Sequence, residues 1–211
     1  MITRRQFSKV TGGTILSTCL PLSAFAVPPP SNIRSIGVFG VGGAGCNIIE
    51  LLRREVRLNA NCSIHTFNRT PDQRPGALGF STHLDCQLTA EEAGLVLDVV
   101  GKRDVVFLFA GLGGAAGTKL TPFIGSIAKC SGATVIAVVV MPFDFEGSRR
   151  NTQAQLAKGE LADLIDRVHV IENNVSLDNL PDMTFERGLE HVNRLAIRAF
   201  VLEAAHMGAL A

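Results

Sequence analysis

Three segments of the chain carry residue types and spacings that could serve a ligand, and two of them are glycine-rich in the way that suits phosphate. The first is Gly40-Val41-Gly42-Gly43-Ala44-Gly45-Cys46-Asn47, and the second is Ala110-Gly111-Leu112-Gly113-Gly114-Ala115-Ala116-Gly117-Thr118. The third is Met141-Pro142-Phe143-Asp144-Phe145-Glu146-Gly147-Ser148-Arg149-Arg150. Glycine lets the backbone approach a phosphate, and a helix that follows adds free amides and a partial positive charge. Alone, Gly40, Gly42 and Gly45 fit G-x-G-x-x-G, a pattern that any tight strand-to-helix turn also uses. Dinucleotide-binding domains usually carry one such loop; two facing each other suit a shared phosphate chain. Glu146 and Arg150 have the i,i+4 spacing of an ordinary helix-surface ion pair, worth about 0.2–0.5 kcal/mol.

The segments between these loops alternate strand and helix patterns. Ile36 to Phe39, Ser63 to Phe67 and, more weakly, Thr82 to Cys86 read as strands. The runs Asp104 to Ala110 and Ala133 to Val140 are continuously apolar, as strands covered on both faces are. Arg167 to Ile171 is a sixth strand. Helices are expected over Ala44 to Val56, from Thr89, over Ala116 to Lys129, from Gly147, and over Thr184 to Met207. Thr89 with Glu92 three residues on forms a capping box. This alternation predicts a single α/β domain, a doubly wound parallel sheet of Rossmann-like form. Ligands sit at the carboxyl ends of the strands in such a sheet, where all three motifs fall.

In order and spacing the three motifs resemble the nucleotide-binding domain of the FtsZ/tubulin family, and FtsZ more than tubulin. GVGGAGCN stands at its first glycine loop, AGLGGAAGT at its GGGTGTG signature, and PFDFEGSRR at its PFxFEGxxR. The likeness runs from about Ser35 to Met207. It implies GTP or GDP as ligand. It places Gly42, Gly43 and Asn47 at first-loop positions, Gly113, Gly114, Gly117 and Thr118 in the phosphate loop, and Glu146 and Arg150 at the ribose. Asn173 matches a guanine-side asparagine, and Glu190 falls where the family has a guanine-reading Asp. A carboxylate there accepts from the guanine N1 and N2 hydrogens, although Glu190 is longer by a methylene.

Several residues depart from the family pattern. Ala116 replaces a signature Thr and Lys119 a signature Gly, and Lys119 either folds toward the phosphates or follows the helix into solvent. Cys86-Gln87-Leu88-Thr89 passes straight into a helix, where the family has a glycine-rich lid over the terminal phosphate. The sequence ends at Ala211, without the family's second domain or the acidic loop that activates water. These departures imply nucleotide binding with at most weak GTPase activity, no catalytic residue and no filaments. Two other readings stand beside this one. One is an exported scaffold or interaction protein that kept the fold, lost the ligand and serves a protein partner. The other is an NADP-binding module, for which Asn68-Arg69-Thr70 at the end of the second strand supplies an arginine.

Composition narrows the remaining classes. The 211 residues are 46% hydrophobic and 18% charged, which excludes a disordered chain. Aromatic residues are 6%, all phenylalanine, and the net charge is +1. Base-stacking surfaces and electrostatic capture of nucleic acid are therefore not expected. Residues 1–26 are set apart as a twin-arginine export signal. Arg4 and Arg5 precede an apolar stretch from Val10 to Phe25, and Ala24-Phe25-Ala26 is acceptable to a signal peptidase. That stretch is too short and too rich in Gly and Ser for a stable membrane span. Residues 27–34 form a Pro-rich linker, and 35–208 the domain. Without Arg4, Arg5 and Lys9, the 20 basic residues fall to 17 against 19 acidic, net −2. Cys46, Cys62, Cys86 and Cys130 form no CxxC pair and no zinc pattern, and are expected as buried small hydrophobes. The expected location is the periplasm, or the cytoplasm if the signal does not act. Changing Arg4 and Arg5 both to Lys should hold the protein in the cytoplasm uncleaved; unchanged fractionation of that variant, with no processing of the wild type, would sink the export assignment.

Overall fold

All six strands of the single sheet run parallel, in the order β3-β2-β1-β4-β5-β6. They are β1 (Ile36–Val41), β2 (Cys62–Asn68), β3 (Ala77–Gly79), β4 (Val105–Gly111), β5 (Thr134–Val140) and β6 (Arg167–Ile171). This is a computed structural model, and it describes residues 33–68, 77–79, 89–174 and 184–211. The export segment, Arg69 and Thr70, Thr82 to Cys86 and the run from Cys86 to Leu88 lie outside the described residues. The third strand seen, Ala77–Gly79, is short and has no β-branched residue to announce it.

The three central strands are the apolar runs. Every residue of β1 is buried, as is almost all of β4 and β5. Helices must then cover both faces, since neither side of these strands presents polar groups to water. On one face, α1 (Gly42–Glu55) and α5 (Phe185–His206) pack Ile48, Leu52, Val192, Ala196 and Phe200 onto Val105, Phe107, Phe109 and Val138. On the other, α2 (Ala90–Val100), α3 (Ala115–Cys130) and α4 (Ser148–Leu164) cover Val106, Leu108, Val135 and Ala137. Phe200 meets the edges of Phe107 and Phe109 at centroid separations of 4.8 and 5.6 Å, anchoring α5 across the sheet. Truncating so large a buried ring costs about 3–5 kcal/mol.

Two close backbone contacts seat the helices that follow β1 and β4. A Cβ on Gly45 of α1 would lie 2.3 Å from the Phe109 carbonyl oxygen, and one on Gly117 of α3 would lie 2.1 Å from that of Gly111. Both distances are far below van der Waals contact, so only glycine lets these helices sit so near β4. Elsewhere the starts are set by side chains. Thr89 and Glu92 form the expected capping box on α2, and the Thr184 hydroxyl accepts from Arg187 N–H at the start of α5. The chain end is tied back as well: Asn59 Nδ2 donates to the carbonyls of Gly208 (2.9 Å) and Leu210 (2.7 Å).

The cysteines divide. Cys46 is buried as expected, Cys62 is only partly buried, and Cys130 is exposed at the end of α3 because the helix turns that position outward. No helix among the described residues is long and apolar enough to cross a membrane.

His65 of β2 stacks on Phe39 at 5.3 Å, with Nε2 buried and without a hydrogen-bond partner. Burial, and then the charges of Arg103 and Arg53, lower its pKa below the ordinary 6.5. A depressed imidazole pKa favours the neutral form in the fold, so its contribution is complete above the unfolded value. It is lost as the pH falls from 6.5 toward the lower folded value. The melting temperature should therefore drop between about pH 7 and pH 5, and His65→Phe should flatten that slope; equal slopes in thermal melts of both proteins would show that His65 is not responsible.

Candidate functional site

Chain direction creates the site. After β1 the chain turns to one face of the sheet to form α1, and after the neighbouring β4 it turns to the other to form α3. Their divergence leaves a crevice beyond the carboxyl ends of β1 and β4, of about 560 Å³. Both glycine loops and the PFDFEG turn open onto it.

At one end the crevice is bounded by backbone. The starts of α1 and α3 carry no side-chain cap, in contrast to the threonine-capped α2 and α5. Both starts open toward the crevice, since Gly43 of α1 and Gly114 and Ala115 at the start of α3 line it. Gly43 and Gly114 line this end, and a Cβ at either would meet nothing within 4 Å. The two loops nearly touch, since a Cβ on Gly42 would lie 3.1 Å from Gly117 N. Gly113 and Thr118 do not line the crevice but shape the loop from behind. Gly113 sits at φ +87°, and its N–H donates to Thr118 Oγ1 at 2.8 Å. Lys119 is exposed on α3 and does not line the crevice.

The middle is built by the third motif. Asp144–Glu146 forms one 3-10 turn, which Glu146 closes by accepting from Phe143 N–H at 2.9 Å. Its other oxygen accepts from Arg150 Nη1. Gly147, at φ +100°, separates the turn from α4, so this pair bridges two elements and does not lie along one continuous helix. Glu146 and Arg150 both line the crevice. Phe145 stacks on Phe143 at 4.9 Å and meets Phe185 at 6.0 Å, and both Phe145 (69%) and Phe185 (52%) keep exposed faces at the mouth.

Amide side chains line the crevice as well. Asn173, only 4% exposed, has an Oδ1 with no hydrogen-bond partner. An unmet buried acceptor costs about 1–3 kcal/mol, a cost that a donor in the crevice would relieve. Asn47 lines the same crevice from α1. Glu190 does not. Its carboxylate accepts from Arg194 at 2.8 Å on the exposed flank of α5, and Arg194 also reaches Glu55 of α1. The helix face that lines the crevice carries Phe185, Leu189, Val192 and Asn193. Sequence reasoning missed Phe185, Leu189 and Asn193, although their four-residue spacing was a readable signal. Asn68, at the end of β2, also lines the crevice. Among the described residues no cluster of His, Cys, Asp or Glu could hold a metal ion.

These features define a doubly wound parallel α/β domain with a glycine-lined crevice at its switch point. Residues 57–181 match the family model described as Tubulin/FtsZ family, GTPase domain, and the chain belongs to the tubulin/FtsZ family. It is 28% identical over 179 residues to the cell division protein FtsZ 1 of Archaeoglobus fulgidus, across 78% of this chain and 49% of that protein. It is 30% identical over 168 residues to FtsZ of Mycoplasmopsis pulmonis, across 73% and 42%. An empty FtsZ dimer of M. jannaschii superposes with a TM-score of 0.68 at 25% identity, covering 81% of this chain and 54% of that one. CetZ from Methanosaeta thermophila, at 19% identity and TM-score 0.65, shares the fold. The chain thus spans about half the length of the curated relatives it matches.

The glycines of the loops separate into two kinds by what surrounds them. Gly117→Ala drives a methyl into the Gly111 carbonyl and should cost about 1–3 kcal/mol or more. Gly43→Ala, on a helix with open space beyond it, should leave the fold as stable or raise it by up to about 1 kcal/mol. Denaturant titration of the two variants checks the difference, and equal stabilities would contradict the packing described.

Proposed function

We propose that this chain binds a guanine nucleotide, GTP or GDP, in the crevice and hydrolyses GTP weakly or not at all. The observation that carries the reading is the pair of uncapped helix starts, α1 and α3, open on one crevice from opposite faces of the sheet. Two helix starts that no side chain closes, with their two partial positive charges, converge there, an arrangement suited to a phosphate chain. Glu146 and Arg150 line the same crevice, and the resemblance assigns them to the ribose. Phe145 and Phe185 offer flat apolar faces to a base, and Asn173 brings an unmet acceptor.

Hydrolysis needs a group that activates water. Among the described lining residues, the titratable side chains are Glu146 and Arg150, which are paired with each other. Residues 80–88, where the resemblance expects the glycine-rich phosphate lid, contain no glycine. The chain spans about half the length of its relatives, so we expect these 211 residues expressed alone to form no GTP-dependent filaments. The export signal adds a constraint: twin-arginine substrates fold before transport, so we infer that any nucleotide is acquired in the cytosol and carried to the periplasm.

Denaturing the purified protein and analysing the supernatant by mass spectrometry should release GDP or GTP. Gly43→Ala should lower affinity for added GDP at least tenfold, about 1.4 kcal/mol, while the fold stays intact. No released nucleotide, together with no calorimetric binding of GDP or GTP, would refute the reading; release of NADP would favour a dinucleotide module.

A further inference from the structure

We propose that the base end of this crevice accepts guanine and adenine alike, making the chain a purine-nucleotide binder without strong preference for guanine. This rests on the nucleotide reading above. The wall that α5 presents is Phe185, Leu189 and Asn193, one residue per turn. Glu190, one position on from Leu189, is rotated about 100° away from that wall. It is held there by Arg194 at 2.8 Å, which Glu55 of α1 holds in turn at 3.1 Å. Bringing the carboxylate to a base would require breaking its contact with Arg194.

The chemistry of the two purines gives this placement its consequence. Guanine presents donors at N1 and N2, whereas adenine presents a donor at N6 and an acceptor at N1. A carboxylate only accepts, so it pairs with the guanine edge and repels the adenine N1 lone pair. An amide carries both a donor and an acceptor, and can meet either edge. Asn173 and Asn193 line the crevice, and no described carboxylate lines it except Glu146, which accepts from Phe143 N–H and Arg150. The unpartnered Oδ1 of Asn173 needs a donor, and both purines have an exocyclic amine to give. Leu189 adds apolar contact and no polar requirement. The exposed faces of Phe145 and Phe185 contact any purine equally, since stacking does not read hydrogen-bond edges.

The test is equilibrium binding of GDP and ADP to the full chain, freed of carried nucleotide. The two dissociation constants should agree within about tenfold, because the charged hydrogen bond that would separate them further is missing. Leu189→Asp, at a position 38% exposed, puts a carboxylate on the crevice face and should raise the GDP-over-ADP ratio at least about tenfold. A preference for GDP of about a hundredfold in the wild type, lost in Glu190→Gln, would overturn the inference and leave nucleotide binding standing. An unchanged ratio in a folded Leu189→Asp would also overturn it. Failure of both GDP and ADP to bind would overturn the inference together with the reading it rests on.

Discussion

The site depends on how closely two helices approach one strand. α1 and α3 rest on β4 from opposite faces, through Gly45 against the Phe109 carbonyl and Gly117 against the Gly111 carbonyl. Both contacts fall at the carboxyl end of the strand, where the helices begin. Lifting either helix by the width of a methyl group would move its first turn and widen the crevice between them. The positions of the two partial charges that face the crevice are thus set by backbone packing in the core. Interiors packed to crystal-like density transmit such displacements without damping them.

This changes what the glycine motifs mean. Glycine-rich loops are commonly read as phosphate cradles, yet the glycines of these two loops do different work. Gly45 and Gly117 are needed by the fold, because a side chain would enter a carbonyl. Gly43 and Gly114 face open space, so the fold places no steric demand on them. Gly113 belongs to neither kind. Its positive φ forms the loop, and a Cβ there would come within 2.9 Å of the Arg150 carbonyl, so the PFDFEG segment packs directly on the signature loop.

The sheet was legible because its central strands are long apolar runs bounded by glycine. The runs at Val105 to Gly111 and Thr134 to Val140 read as strands covered on both faces, and they lie side by side in the sheet. Helix starts were legible where a side chain caps them, as Thr89 and Thr184 do. Ala77–Gly79 was not, because a three-residue edge strand is specified by its neighbour's hydrogen bonds and carries too little pattern of its own. At the site, motif matching found the segments that line the crevice but could not resolve which residue of a segment points inward. On α5 a shift of one residue turns a side chain through about 100°, which separates Leu189 on the wall from Glu190 on the flank. Cys130 escaped its expected burial for the same reason, since exposure follows a residue's angle on its helix and not its type alone.

Glu146 shows how the loops are kept in register with the crevice. Its two oxygens close the turn after β5 and hold Arg150 at the start of α4, and the Arg150 carbonyl lies against Gly113. A single carboxylate therefore links the turn after β5 to the loop after β4. A carboxylate has about four acceptor sites, so a ligand hydroxyl can add to Glu146 beside these two donors or displace one of them. Displacing Phe143 N–H would open the 3-10 turn, whereas displacing Arg150 releases only an exposed side chain. The second exchange costs less, since an exposed ion pair is worth at most about 1 kcal/mol. Of the two donors on Glu146, Arg150 is therefore the more readily exchanged, whereas the Phe143 N–H holds the turn that carries the carboxylate.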